Sequence, residues 1–132
     1  MNAGLDTTII VRIISGLPED QAERVALRLG EIISGSGVCE VSDIAVVEAY
    51  YALQNFYGMT KEEAIGHLRR LSTTPGFRFS PETSAVLQAP HLEQANPGFI
   101  DRVLAAGYHS RQLVTLSCEK SFRKLPDAEV VS

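Results

Sequence analysis

A chain of 132 residues, 45% hydrophobic and 21% charged, has the length of one domain. Folding at that length buries roughly two-thirds of the surface the unfolded chain exposes. The composition excludes low-complexity disorder, a collagen-like fibre and a disulfide-stapled miniprotein. Twelve Lys and Arg against sixteen Asp and Glu leave a net charge of −4, which argues against a nonspecific nucleic-acid binder, since such proteins carry a basic stripe. A nucleic-acid partner would need positive charge from another source.

The opening MNAGLDTT has no basic segment leading into an apolar core, so it does not read as a secretory signal. Runs such as Ile9–Val11 and Ala45–Val47 are too short for a bilayer. Cys39 and Cys118 stand apart, with no CxxC and no His pair at metal spacing. They read as reduced, packed thiols of a cytoplasmic protein without membrane contact; a nucleophilic Cys118 is the competing reading.

In chain order, Ala3–Leu5 reads as the end of a first strand, and Thr7–Ile14 is too apolar for an exposed element. Pro18–Ser34 is a helix, with Pro18 in its first turn, Glu19 and Asp20 at its start, and Ala22, Val25, Ala26, Leu29 and Ile33 at helical spacing. Gly35–Gly37 breaks it. Val38–Val41 is a strand, and Ser42 or Asp43 caps a helix over Ile44–Tyr57 that Gly58 ends. Thr60 and Glu63 form a capping box opening Lys61–Leu71. Phe77–Phe79 is a brief strand, Ser80-Pro81-Glu82 starts a helix disturbed by Pro90, and a further helix runs from about Phe99 to His109. Leu113–Leu116 is a strand, Glu119–Leu125 a helix and Ala128–Val131 the last strand. This repeated βα order predicts an α/β fold with a mainly parallel sheet and helices on both faces, in one domain over residues 1–132. In such sheets the site lies beyond the carboxyl ends of the strands. The positions to inspect are therefore Asp6, Ser42–Asp43, Ser80 and Ser117–Glu119.

Three carboxylates fall in unexpected surroundings. Asp6 follows the first strand directly, where the plain alternative is an N-cap with Thr7 and Thr8 in the first turn. Glu48 is the only charge between Ile44 and Leu53, in a stretch apolar around most of its circumference. A buried carboxylate there is costly unless an Arg or Lys pairs with it. Asp101 shares a face with Leu104, Ala105 and Tyr108 while Arg102 turns to solvent, its plain alternative being a favourable charge in a first turn. Converging carboxylates repel unless a cation binds, and an oxygen-rich cluster suits Mg²⁺ or Mn²⁺. Such an ion supplies the missing positive charge and can activate water against a phosphodiester.

These residues resemble the PIN-domain nucleases, particularly the VapC-type toxins of toxin–antitoxin pairs. The likeness rests on Asp6-Thr7 after the first strand, Ser42 and Glu48 ahead of Leu53, and Tyr57-Gly58-Met59-Thr60. It continues with Phe99-Ile100-Asp101 opening a helix with Leu104-Ala105-Ala106, then Leu113-Val114-Thr115 followed by Phe122 and Leu125. It spans essentially the whole chain, and the order and separation of the short motifs carry it. The resemblance implies a three-layer α/β/α sandwich around a central parallel sheet and Mg²⁺- or Mn²⁺-dependent cleavage of RNA. It also implies a cognate antitoxin and a homodimer. By position, Asp6, Glu48 and Asp101 become the catalytic, metal-holding acids, with Thr7 and Thr115 orienting them. The family's late motif is Thr-x-Asp, whereas Thr115-Leu116-Ser117 places Ser at the fourth acid. Glu119 could replace it through a longer loop, or Ser117 could hold a water. An inactive protein of this fold that binds antitoxin or RNA without cutting is the alternative, and a different metal phosphoesterase a third.

Other signals favour surface or packing roles. His67 with Arg69 and Arg70 reads as a solvated basic face, with an RNA-backbone contact as the alternative; Arg111, Lys120, Arg123 and Lys124 read as a charged surface helix ahead of residues that flank the site and guide phosphates. Tyr50, Tyr51, Phe56 and Tyr57 read as core or dimer interface ahead of base stacking. There is no GxxxxGK[ST], GxGxxG, HExxH or GxSxG.

Overall fold

A computed structural model describes residues 1–132 as two compact units, Met1–Ser80 and Pro81–Ser132. In the first, β1 (Ala3–Gly4), β2 (Cys39–Glu40) and β3 (Phe77–Arg78) form a parallel sheet in the order β1-β2-β3. Ala3 lies beside Cys39, which lies beside Phe77. The strands are shorter than their apolar runs suggested. The connections carry two helices each: α1 (Thr7–Ser15) and α2 (Glu19–Ser34), then α3 (Asp43–Asn55) and α4 (Lys61–Ser72). The apolar run after Asp6 is thus a helix, ended by Gly16 at φ 71° with its N–H on the Arg12 carbonyl, a conformation glycine adopts without strain.

Local chemistry sets the other helix starts. Pro18 is the residue outside α2 rather than in its first turn, and Glu19 and Asp20 meet the dipole. Ser42 Oγ accepts from the Ala45 N–H and caps α3. The Thr60–Glu63 capping box is formed in both directions at α4. One cluster of the core joins Leu29, Ile32 and Cys39 with Ile9, Ile13 and Phe77. Val46, Ala49 and Leu53 of α3 and Ala64, Ile65 and Leu68 of α4 are also buried. Burial pushes the Cys39 thiol pKa up, as expected for a packing residue.

In the second unit, α5 (Pro81–Leu87) and α6 (Phe99–Ser110) precede a parallel pair, β4 (Thr115–Ser117) and β5 (Ala128–Val130). The expected Glu119–Leu125 helix is a 3-10 turn over Lys120–Lys124. It seats Phe122 and Leu125 against Ala105, Ala128 and Val130. All pairings are parallel, as expected, but the strands divide into a three-stranded and a two-stranded sheet rather than one continuous ladder. No helix is long and apolar enough to cross a membrane.

Candidate functional site

In the first unit the strand order is sequential, so its loops meet at the carboxyl edge of the sheet without a reversal. Asp6 enters α1 with extended backbone, and its side chain does not cap the helix. Its carbonyl accepts from the Ile9 and Ile10 N–H groups, while its carboxylate accepts from Thr8 Oγ1 at 2.9 Å. The N-cap explanation of this acid therefore fails for the side chain. Thr7 Oγ1 donates to Glu48 Oε1 at 3.0 Å. The residue beside Asp6 thus reaches across to α3 and fixes the second acid.

Glu48 is exposed, not buried, which corrects the reading of α3. The helix has more apolar residues than one face can hold. Ala45, Val46, Ala49, Tyr50 and Leu53 fill the core side, leaving Ile44 and Tyr51 outside with Glu48 between them. No Arg or Lys pairing is needed to keep the Glu48 charge, because water solvates it.

Three side-chain contacts of this unit were missed. Ser80 Oγ, just after β3, donates to Asp43 Oδ1, just after β2, at 2.8 Å. The signal was their position directly beyond strands. Arg12 donates to Tyr57 Oη at 3.0 Å and to Gln21 Oε1, so Tyr57 is tied to α1 rather than being one more packed aromatic. His67 Nδ1 stands 3.0 Å from an Arg70 nitrogen on α4, within the expected basic face.

In the second unit, Asp101 lies half-buried in the first turn of α6, where the helix dipole favours a negative charge. Arg102 does not turn away; its Nε donates to the Pro97 carbonyl at 2.7 Å. Thr115 is 3% exposed, and its Oγ1 is buried without a hydrogen-bond partner. Ser117 Oγ accepts from the Glu119 N–H at 3.0 Å, so the serine at the family's acid position orders the loop bearing Glu119. That carboxylate is exposed and heads the 3-10 turn. Cys118 is an exposed free thiol.

The donor chemistry suits a hard divalent ion: carboxylates and hydroxyls, with no thiolate or imidazole among the candidates. The orphaned Thr115 hydroxyl is a further polar group held without a protein partner. The count falls short, because no group of three or more His, Cys, Asp or Glu side chains is placed to hold an ion. The structure joins Thr7 to Glu48 and Thr8 to Asp6, and it gathers no three-acid cluster.

Comparison with known proteins places these features. Among curated proteins none matches the chain significantly. A solved structure, VapBC2 from Rickettsia felis bound to a DNA fragment from their promoter, is similar over 99% of this chain and 98% of that one, at 17% identity and a TM-score of 0.40. The PIN-domain family matches residues 4–128. That span takes in Asp6, Glu48, Asp101, Thr115 and both units, so the chain belongs to the PIN-domain family of nucleases and to its three-layer α/β/α fold class.

Proposed function

We propose that the chain is a divalent-metal-dependent endoribonuclease, the VapC-type toxin of a toxin–antitoxin pair, with a cognate antitoxin and a homodimeric state. The observation that carries the reading is the Thr7–Glu48 hydrogen bond beside Asp6 in a chain that matches the PIN family. Asp6, Glu48 and Asp101 would hold Mg²⁺ or Mn²⁺, with Glu119 or Ser117 as the fourth ligand. When bound, the ion supplies Lewis acidity and positive charge for hydrolysis of a phosphodiester. Thr7 donates to Glu48 Oε1 and Thr8 to Asp6 Oδ2, so a hydroxyl restrains each of these two carboxylates. Hydroxyls that fix ligand carboxylates preserve geometry through the reaction.

The test is cleavage of single-stranded RNA with Mg²⁺ or Mn²⁺ by the wild type, Asp6→Asn and Glu48→Gln. Wild-type cleavage lost in both variants supports the reading. Equal cleavage by all three would mark a contaminant and end it.

Ser117 at the position of the fourth acid favours a second reading, a PIN protein that binds antitoxin or RNA without cutting. It predicts no metal-dependent cleavage by the wild type.

A further inference from the structure

Position in the sheet singles out two residues that the proposed chemistry leaves unused. Asp43 follows β2 and opens α3, and Ser80 follows β3. Because β2 is the middle strand, the helix that leaves it has a neighbouring loop on either side. On the β1 side, Thr7 Oγ1 donates to Glu48 Oε1 at 3.0 Å. On the β3 side, Ser80 Oγ donates to Asp43 Oδ1 at 2.8 Å. The backbone pairing of β2 with β3 reaches as far as the Val41 N–H on the Arg78 carbonyl at 2.9 Å. The Ser80–Asp43 bond carries the lateral link past the point where that ladder stops. Both residues are half-buried, and a hydrogen bond to a carboxylate is stronger than one between neutral groups.

Along α3, Glu48 lies 48 − 43 = 5 residues beyond Asp43, a rise of about 7.5 Å. A helix restrained at one point can pivot about it. Two restraints this far apart, taken from opposite sides, fix both its tilt and its shift along the axis. Val46, Ala49 and Leu53 hold α3 against the core, but apolar packing is non-directional, whereas a hydrogen bond is not. We propose that Ser80 and Asp43 are positioning residues for Glu48: their bond sets the start of α3, and through it the place where the Glu48 carboxylate meets Thr7. The consequence for catalysis rests on the metal-dependent ribonuclease reading; the placement of Glu48 does not. A displacement of about 1 Å far from the chemistry can cost on the order of a hundredfold in rate. Ser80→Ala leaves α3 its Ser42 cap and releases only the β3 side, so a loss of about tenfold is expected.

The experiment begins with the full chain in EDTA. The carboxyl-carbon NMR resonance of Glu48, assigned with Glu48→Gln, is recorded for the wild type and for Thr7→Val, which reports the shift that accompanies loss of the hydroxyl from Glu48. Ser80→Ala should move the resonance in that direction. Asp43→Ala, which breaks the same bond from its other end, should do so too. Ser80→Thr and Asp43→Asn keep the donor or the acceptor oxygen and should stay near the wild type. A resonance unmoved in both alanine variants overturns the proposal, as does one moved equally by the two conservative variants. RNA cleavage then reads the consequence. Ser80→Ala should lower kcat about tenfold with KM for RNA within about twofold. A change confined to KM, or a lower melting temperature with kcat unchanged, would overturn the catalytic role. A wild type that does not cleave ends the ribonuclease reading alone, and the resonance still decides whether Ser80 and Asp43 place Glu48.

Discussion

Two threonines mark opposite uses of a hydroxyl. Thr7 spends its proton on Glu48, so Thr7→Val should release that carboxylate and lower RNA cleavage by about tenfold to a hundredfold, the usual cost of losing a residue that orients a ligand. Its melting temperature should scarcely move, because the bond lies at the surface. Thr115 has the reverse profile. Its hydroxyl is buried and unpartnered, a state that costs folding free energy. Thr115→Val, which keeps the shape, should leave stability unchanged or raise it by about 1 kcal/mol in denaturant unfolding, while cleavage falls. A clear loss of stability would show that the hydroxyl is satisfied after all. A polar group left unsatisfied in the fold is best explained by a role outside stability.

Among the helices, α4 has the most explicit start. The Glu63 carboxyl is held below its usual range, first by the Thr60 backbone N–H and then by the Thr60 hydroxyl. Thr60→Ala should cost about 1 kcal/mol, the usual cost of losing an N-cap side chain. Since the folded Glu63 value is depressed, its contribution is present above the ordinary carboxyl value of 4.5 and fades as pH falls through the folded value. Denaturation curves at neutral and strongly acidic pH check both halves. The capping box was legible because its two residues are three apart and its chemistry is local. The same holds for Ser42 and for the breaks at Gly35 and Gly58. The orientation of α3 was not legible. Ile44, Val47, Ala49, Tyr51 and Leu53 leave no polar face to count, and only packing against α1 and α4 decides which side the core takes. Glu48 was found for a reason the structure reverses: it seemed anomalous as a buried charge and stands instead as an exposed one.

For the whole chain, net charge of −4 takes on a different sense once the acids are located. Asp6 and Glu48 are both solvent-facing, so an ion held by the proposed site would meet accessible carboxylates and add stability by mass action. Mn²⁺ at about a hundred times its dissociation constant should raise unfolding free energy by about 2.7 kcal/mol, read as a higher melting temperature. Asp6→Asn and Glu48→Gln should remove that rise. A rise that survives both substitutions would place the ion elsewhere. The division of the strands into two sheets had no sequence signal, because strand runs reveal direction and length but not which ladder each joins. The sites beyond the strands were legible as positions; the Ser80–Asp43 bond between two of them was not, since nothing local links residues so far apart in the chain.

The brevity of the strands has a consequence for life in a crowded cell. β1 and β3, the outer members of their sheet, are two residues long, so each offers almost no row of unpaired backbone groups to a neighbouring chain. Edge-to-edge recruitment, the route by which exposed ladders seed fibrils, needs a longer template than this. A fold that keeps its parallel ladder this short places its cohesion in helices, and a helix closes its own hydrogen bonds. The molecule is thereby protected from self-templating by geometry, without the guard of lysines that longer edges require.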